Sequence, residues 1–290
     1  MFDVLCELIY LVKEINCKRI LIKHNLENMV KIKTKLIKML NSFFNFYGYS
    51  LIKKVNYPPV EFSEDELDIL NYVFNSGTTG VSYEGLIHNI ISAKYVIDNN
   101  IKGDFVELGV WKGGSAIAVK LIFDLYKHDA NVWLFDTYAG MTRPLEIDVK
   151  YVDGKKISGL NVFEQNKTGD DEVSNWNFAS LSEVKENFNK ANALDDKCKF
   201  IKGDVLVTVK EKINEINDIS ILRLDVDIYE PTKTGMELLY PKISKNGVLL
   251  LDDYGGWEGA RKATDDYFLE KKINPYLGYV DKNVRIAIKK

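Results

Sequence analysis

Residues 104–115 read DFVELGVWKGGS. A short apolar run ends at Gly109, three residues follow, and Gly113–Gly114 open a helical pattern, GGSAIAVKLIFDLY. This is the signature of a buried strand turning sharply into a helix, with glycines that let the backbone approach a ligand closely. The spacing is not G-x-G-x-x-G, so the dinucleotide fingerprint is absent. A tight turn with no ligand would also favour glycine here.

Outward from this stretch the same alternation repeats. VWLFDTY (132–138), KFIKGDV (199–205), ISILRLDV (219–226) and VLLLDDY (248–254) read as further strands. Helices are expected at 207–214, 231–240 and 259–272. PYLGYV and VRIAIKK, around Asp281–Asn283, read as a closing hairpin. Strands alternating with helices imply an α/β fold with helices on both sheet faces. The sheet should hold seven strands, mostly parallel, with the last pair partly antiparallel.

Upstream, FSEDELDILNYVF starts a helix with Ser63 as N-cap and Glu66 at the capping-box position. GLIHNIISAKYVID reads as a second helix. NYPPV (56–60) is an extended break. Residues 1–60 hold ten Lys or Arg against four Asp or Glu, so +6, which leaves −9 on the rest of a chain of net charge −3. We therefore expect a basic helical arm at 1–60 and a main domain at 61–290. Lys31, Lys33, Lys35 and Lys38 give the arm a basic side. It is expected to pack on its own body or a second subunit, with peripheral contact at an anionic membrane as the alternative.

The composition, 46% hydrophobic and 28% charged, is that of an ordinary globular protein, and nothing in it suggests a nucleic-acid binder. Three cysteines without a CxxC pair favour a reducing compartment, hence a cytoplasmic location. No stretch reaches the ~20 apolar residues of a membrane span. Residues 139–178 break the rhythm with little periodicity. A segment of this kind after a strand carboxyl end is expected to form a lid or binding loop.

Candidate chemistry gathers at the strand carboxyl ends. Glu107, just before Gly109, would repel a pyrophosphate but welcome the ammonium of an amino-acid cofactor, which favours S-adenosylmethionine over NAD. Asp136, ending the second strand, can accept ribose hydroxyls. Asp204 is a candidate near the adenine, or simply a turn residue. LRLDVDIYEPT places Asp225 and Asp227 after one strand, an i, i+2 pair expected to share a face. LLLDDYGG places Asp252 and Asp253 after the next. Clustered carboxylates repel one another, and a hard divalent cation relieves this; oxygen ligands suit Mg²⁺, Mn²⁺ or Ca²⁺. Helix capping would explain one acid per strand end, not two at both. A cation on an acceptor oxygen makes a hydroxyl a better nucleophile, with Asp225 as ligand and base. His24, His88 and His128 lie in helical stretches away from this rim.

These motifs together (GDFVELGVWKGGSA, LFDTYAGM, FIKGD, LRLDVDIYEPT and GVLLLDDYGGWEGARKATDDYF) resemble the macrocin O-methyltransferase family over roughly residues 80–280. The resemblance implies a class I methyltransferase, Rossmann-like fold and S-adenosylmethionine- and Mg²⁺-dependent methylation of a hydroxyl on a sugar or glycoside. It implies metal ligation by Asp225, Asp252 and Asp253, with Asp225 as base. The cofactor would contact Glu107, Gly109, Ser115, Asp136 and Thr137, and Asp204 is carried as a further candidate. Asp227 matches an acid near the acceptor, and Tyr138, Arg143 and Tyr254 are further acceptor candidates. A homodimer or larger homo-oligomer is also implied. The chain departs from the family where Glu84 is followed by Gly85 rather than arginine, and in segment 141–178. Rival readings are a methyltransferase for catechol-like diols, a non-catalytic cofactor-binding module and an NAD-dependent oxidoreductase.

Overall fold

The computed structural model describes residues 56–290 apart from 153 and 168–172, so the expected helical arm lies outside the described residues. Pro58–Lys290 forms a compact unit. Two helices lead in: α1 (Glu64–Asn75) and α2 (Tyr83–Asp98). The capping box at α1 is formed, with Ser63 accepting from the Glu66 amide and Glu66 accepting from the Ser63 amide.

The central sheet is built from β1 (Asp104–Leu108), β2 (Val132–Asp136), β7 (Cys198–Lys202), β8 (Ile219–Leu224), β9 (Ile243–Leu251), β10 (Gly278–Tyr279) and β11 (Arg285–Ile288). The spatial order is β10-β11-β9-β8-β1-β2-β7. Strands β9, β8, β1, β2 and β7 run parallel, while β11 pairs antiparallel with β9 and β10 with β11. This is the seven-stranded, mostly parallel sheet expected from the sequence. The chain winds from β1 through β2 to β7, then returns to lay β8 on the other side of β1. The switch point, where ligands bind in open α/β sheets, is therefore the β1–β8 boundary.

Both faces are covered. Phe105, Leu134, Ile221 and Leu250 pack with α1, α2 and α3 (Gly114–Leu125) on one face. Val106, Phe135, Leu222 and Leu251 pack on the other with Val205 and Val209 of α6 (Val205–Lys212) and Tyr267 and Phe268 of α8 (Glu258–Glu270). The period-2 alternation of each strand divides its side chains between two cores.

Two departures from expectation matter. The helix expected at 231–240 divides into α7 (Tyr229–Thr234), a π turn (Gly235–Leu239) and a 3₁₀ turn (Tyr240–Lys242). Gly235 lies so close to Leu224 that a Cβ would fall 2.6 Å from its Cδ2. The segment after β2 is also not structureless. It holds β3 (Met141–Thr142) paired with β6 (Val173–Ser174), β4 (Val149–Val152) paired with β5 (Lys155–Ser158), and α4 (Gly159–Gln165). Among the described residues, no helix is long and apolar enough to cross a membrane.

Candidate functional site

A cleft of about 600 Å³, open to solvent, lies over the carboxyl ends of β1, β2 and β8. Gly109, Asp136 and Asp225 line it, together with Trp111, Thr137, Asp204, Val205, Met141, Thr142, Asn177, Asp227 and Pro231. Gly109 has φ +81°, and a Cβ there would fall 1.7 Å from the Asp225 carbonyl oxygen. Glycine is required because the cofactor-side turn and the acidic turn pass in contact.

Asp136 is committed to the fold. Its Oδ2 accepts from the Val110 and Trp111 amides at 2.7 and 3.1 Å, and its Oδ1 accepts from the Tyr138 amide at 2.7 Å and the Thr137 hydroxyl at 3.4 Å. It ties the glycine turn to β2, so its acceptor capacity is largely used before any ribose arrives. Asp204 faces the cleft but also caps α6, accepting from the Leu206 amide. Thr137 lines the cleft and donates to Gly140 O at 2.6 Å.

Glu107 is the penultimate residue of β1 and 1% exposed. It pairs in register with Arg223 of β8, equally buried, and the Arg223 Nη1 donates to Glu107 Oε1 at 2.7 Å. Its Oε2 is buried without a hydrogen-bond partner. Burial pushes the Glu107 carboxyl up to about 8, against the pull of Arg223. An orphaned buried acceptor of this kind fits an ammonium donor.

Three carboxylates converge where β8 and β9 end. Asp225, Asp252 and Asp253 each offer an oxygen within 4.8 Å of the others. Arg223, which the sequence reading left out, lies among them: its Nη1 also donates to Asp225 Oδ2 at 2.6 Å, and its Nη2 to Asp252 Oδ1 at 2.5 Å. The Asp227 amide donates to Asp253 Oδ2 at 2.8 Å. The rim is therefore not wholly uncompensated, as the sequence argument assumed. It still sets Glu107, Asp225 and Asp252 on one guanidinium, with Asp227 and Asp253 beside them. Burial and mutual repulsion raise the Asp252, Asp253 and Asp227 carboxyls above the ordinary range. One oxygen on each of Asp225, Asp252 and Asp253 is engaged, so a second on each remains to coordinate. An all-oxygen donor set with surplus negative charge fits a hard divalent cation.

Asp225 and Asp227 do not share a strand face. β8 ends at Leu224, and Asp227 sits in a turn at φ +60°. Its Oδ2 accepts from the Asn177 side chain at 3.2 Å. Glu107 and several other expected contacts do not line the cleft. Tyr138 is buried in the core and its hydroxyl donates to Leu134 O. Ser115 is buried in the first turn of α3. Arg143 pairs with Glu164 and lies over Phe163. Tyr254 donates to Asp265 and borders a small void behind Asp253. His88 bonds the Glu84 carbonyl one turn back, and the His128 ring packs tilted against Phe123, so neither joins the rim. The residues that sequence reasoning missed are Arg223, Asn177 and Trp111. Arg223 had a signal: a lone cation inside the apolar run ISILRL.

This sheet order, with a glycine turn after β1 beside an acidic rim after β8 and β9, is that of a class I methyltransferase fold. Residues 76–287 match the family described as macrocin O-methyltransferase (TylF), and the chain belongs to that family. It is 31% identical over 196 residues to demethyldecarbamoylnovobiocin O-methyltransferase of Streptomyces niveus, covering 65% of this chain and 66% of that one. It is 26% identical over 197 residues to mycinamicin III 3''-O-methyltransferase of Micromonospora griseorubida, covering 63% and 71%. The match thus spans about two thirds of these relatives' lengths. Among solved structures, the O-methyltransferase NovP superposes with a TM-score of 0.63 at 26% identity, covering 73% of this chain and 82% of that one. The calicheamicin methyltransferase CalS11 shares the fold, with a TM-score of 0.52 at 16% identity over 83% and 98%.

Proposed function

We propose that this protein transfers the methyl group of S-adenosylmethionine to a hydroxyl of a sugar or glycoside, with a divalent cation held by Asp225, Asp252 and Asp253. The observation that carries this is the convergence of those three carboxylates beside the glycine turn at the switch point. The names of the relatives, O-methyltransferases of glycosylated compounds, support the acceptor class.

Glu107 receives the cofactor's ammonium on Oε2, while Gly109, Thr137 and Asp204 border the nucleoside side. Asp136 supports that side by holding the glycine turn in place. Asp225, Asp252 and Asp253 would hold Mg²⁺, Mn²⁺ or Ca²⁺, which would supply Lewis-acid stabilisation to an oxygen that gives up its proton. Asp225 was expected to be ligand and base together. With Arg223 already on its Oδ2 and a ligand role on the other oxygen, we assign proton acceptance to Asp227, which faces the acceptor side without an arginine. The acceptor's O–H proton passes to Asp227, the oxygen forms the new C–O bond, and the S–CH₃ bond breaks to leave S-adenosylhomocysteine. The chain's main task is alignment of oxygen and methyl group.

Thr142, Asn177 and Asp227 give the acceptor side hydrogen-bonding groups suited to a polyol. A catechol would ask for a flatter, more aromatic wall. We infer a cytoplasmic bacterial homo-oligomer; the free, half-buried Cys198 fits a reducing compartment. The test is transfer of label from S-adenosylmethionine across a panel of nucleotide sugars, glycosides and catechols. Labelled sugar hydroxyls are expected. Methylation of catechols alone would replace the sugar reading, and cofactor binding without turnover on any acceptor would leave a binding module.

A further inference from the structure

Asp148 lies within the segment after β2 and is 1% exposed, and both oxygens of its carboxylate accept from backbone amides. Its Oδ2 accepts from the Leu145 amide at 2.7 Å, closing its own loop. Its Oδ1 accepts from the Tyr229 amide at 2.8 Å, 81 residues away. Tyr229 opens α7 two residues after Asp227, whose left-handed backbone needs support from its surroundings. The Asp148 carbonyl also accepts from the Gly159 amide, which starts α4. On the far side, Gly259 of α8 leaves room for the carboxylate: a Cβ there would fall 1.8 Å from Asp148 Oδ1. Two residues on, Lys150 bridges Trp257, whose amide donates to the Asp253 carbonyl. A single stretch, 148–150, therefore touches both acidic turns.

We propose that Asp148 is a positioning residue that joins the segment carrying the cleft residues Met141 and Thr142 to the turn carrying Asp227, so that the two move as one body. The segment is then a fixed part of the site rather than a lid. A buried carboxylate with two backbone donors is well suited to this, because charge-assisted bonds are the strong ones and a lone amide oxygen cannot satisfy both donors as well. What is positioned rests on the methyl-transfer reading above; the clamp itself does not.

The test uses the full chain as wild type, Asp148→Ala, Asp148→Asn and Gly259→Ala, followed by hydrogen exchange with and without S-adenosylhomocysteine. Loss of a charge-assisted bond predicts about tenfold or more faster exchange in Asp148→Ala, in 145–159 and 226–230 together. Asp148→Asn is expected to fall between, since its oxygen keeps one donor. Gly259→Ala should reproduce Asp148→Ala by displacing the carboxylate. S-adenosylhomocysteine affinity by calorimetry should stay unchanged in all three, and with an acceptor found in the transfer screen kcat should fall while the KM for S-adenosylmethionine holds. Faster exchange confined to 145–159, wild-type behaviour of Asp148→Asn, or cofactor affinity falling in step with exchange would each overturn the clamp. If no acceptor is methylated, the methyl-transfer reading fails, while the exchange pattern still decides the clamp.

Discussion

The strand ends of β1–β2 and of β8–β9 handle carboxylates in opposite ways. On the β1–β2 side, Asp136 is surrounded by donors from the chain itself, three of them backbone amides. On the β8–β9 side, Asp225, Asp252 and Asp253 share one arginine and one backbone amide. The first arrangement is complete and builds a turn. The second is short of positive charge, and the proposed cation would sit there. An acid at a strand end is therefore not a ligand by virtue of position; the count of donors around it separates scaffold from site.

The contrast can be broken at several points. Asp252→Asn should have the largest effect on turnover. Losing a ligand forfeits several kcal/mol of charge stabilisation, so transfer should drop by about a hundredfold or more. S-adenosylhomocysteine binding, measured by calorimetry, should survive. Asp136→Asn should do the reverse. Its amide nitrogen meets backbone N–H donors, so cofactor binding should weaken by about tenfold, with divalent-ion binding by calorimetry little changed.

Arg223→Met tests whether the rim depends on its single buried cation. Leaving Glu107, Asp225 and Asp252 without it should cost about 3–5 kcal/mol in denaturant unfolding. Added Mg²⁺ should recover part of that loss, because a cation bound only by the native state stabilises it. No recovery would argue that the rim holds no cation.

Smaller effects concern pH. Glu107 is raised in the folded protein from 4.5 to about 8. Between those values the native state holds more protons than the unfolded chain, so ligand-free stability should fall as pH rises through this window and level off above it. Asp252, Asp253 and Asp227 are raised too and act in the same direction. Thermal melts of the ligand-free protein across that range should show the decline, and Glu107→Gln should flatten it.

The sheet was legible in the sequence because each central strand is an apolar run punctuated by Gly or Asp, and its period-2 pattern matches two buried faces. Gly109 and the three converging aspartates were legible for the same reason: they follow those runs directly. Arg223 was harder to place, since its role depends on register with Glu107 across two strands 116 residues apart. The region after β2 was the least readable. Its strands β3 and β6 are two residues each, too short to show a period. Its anchor, Asp148, looks like any loop aspartate until Tyr229 and Gly259 are brought beside it. Tyr138 misled because it follows Asp136 closely, yet its φ of +49° turns the ring into the core.

The central claim is that the acidic rim where β8 and β9 end holds a catalytic cation. Methyl transfer from labelled S-adenosylmethionine to a glycoside acceptor, measured in EDTA and again after Mg²⁺ is restored, tests it most directly. Activity should disappear with the chelator and return with the metal, while S-adenosylhomocysteine still binds in both conditions. Full activity in EDTA would contradict the account and leave Arg223 as the rim's sole countercharge.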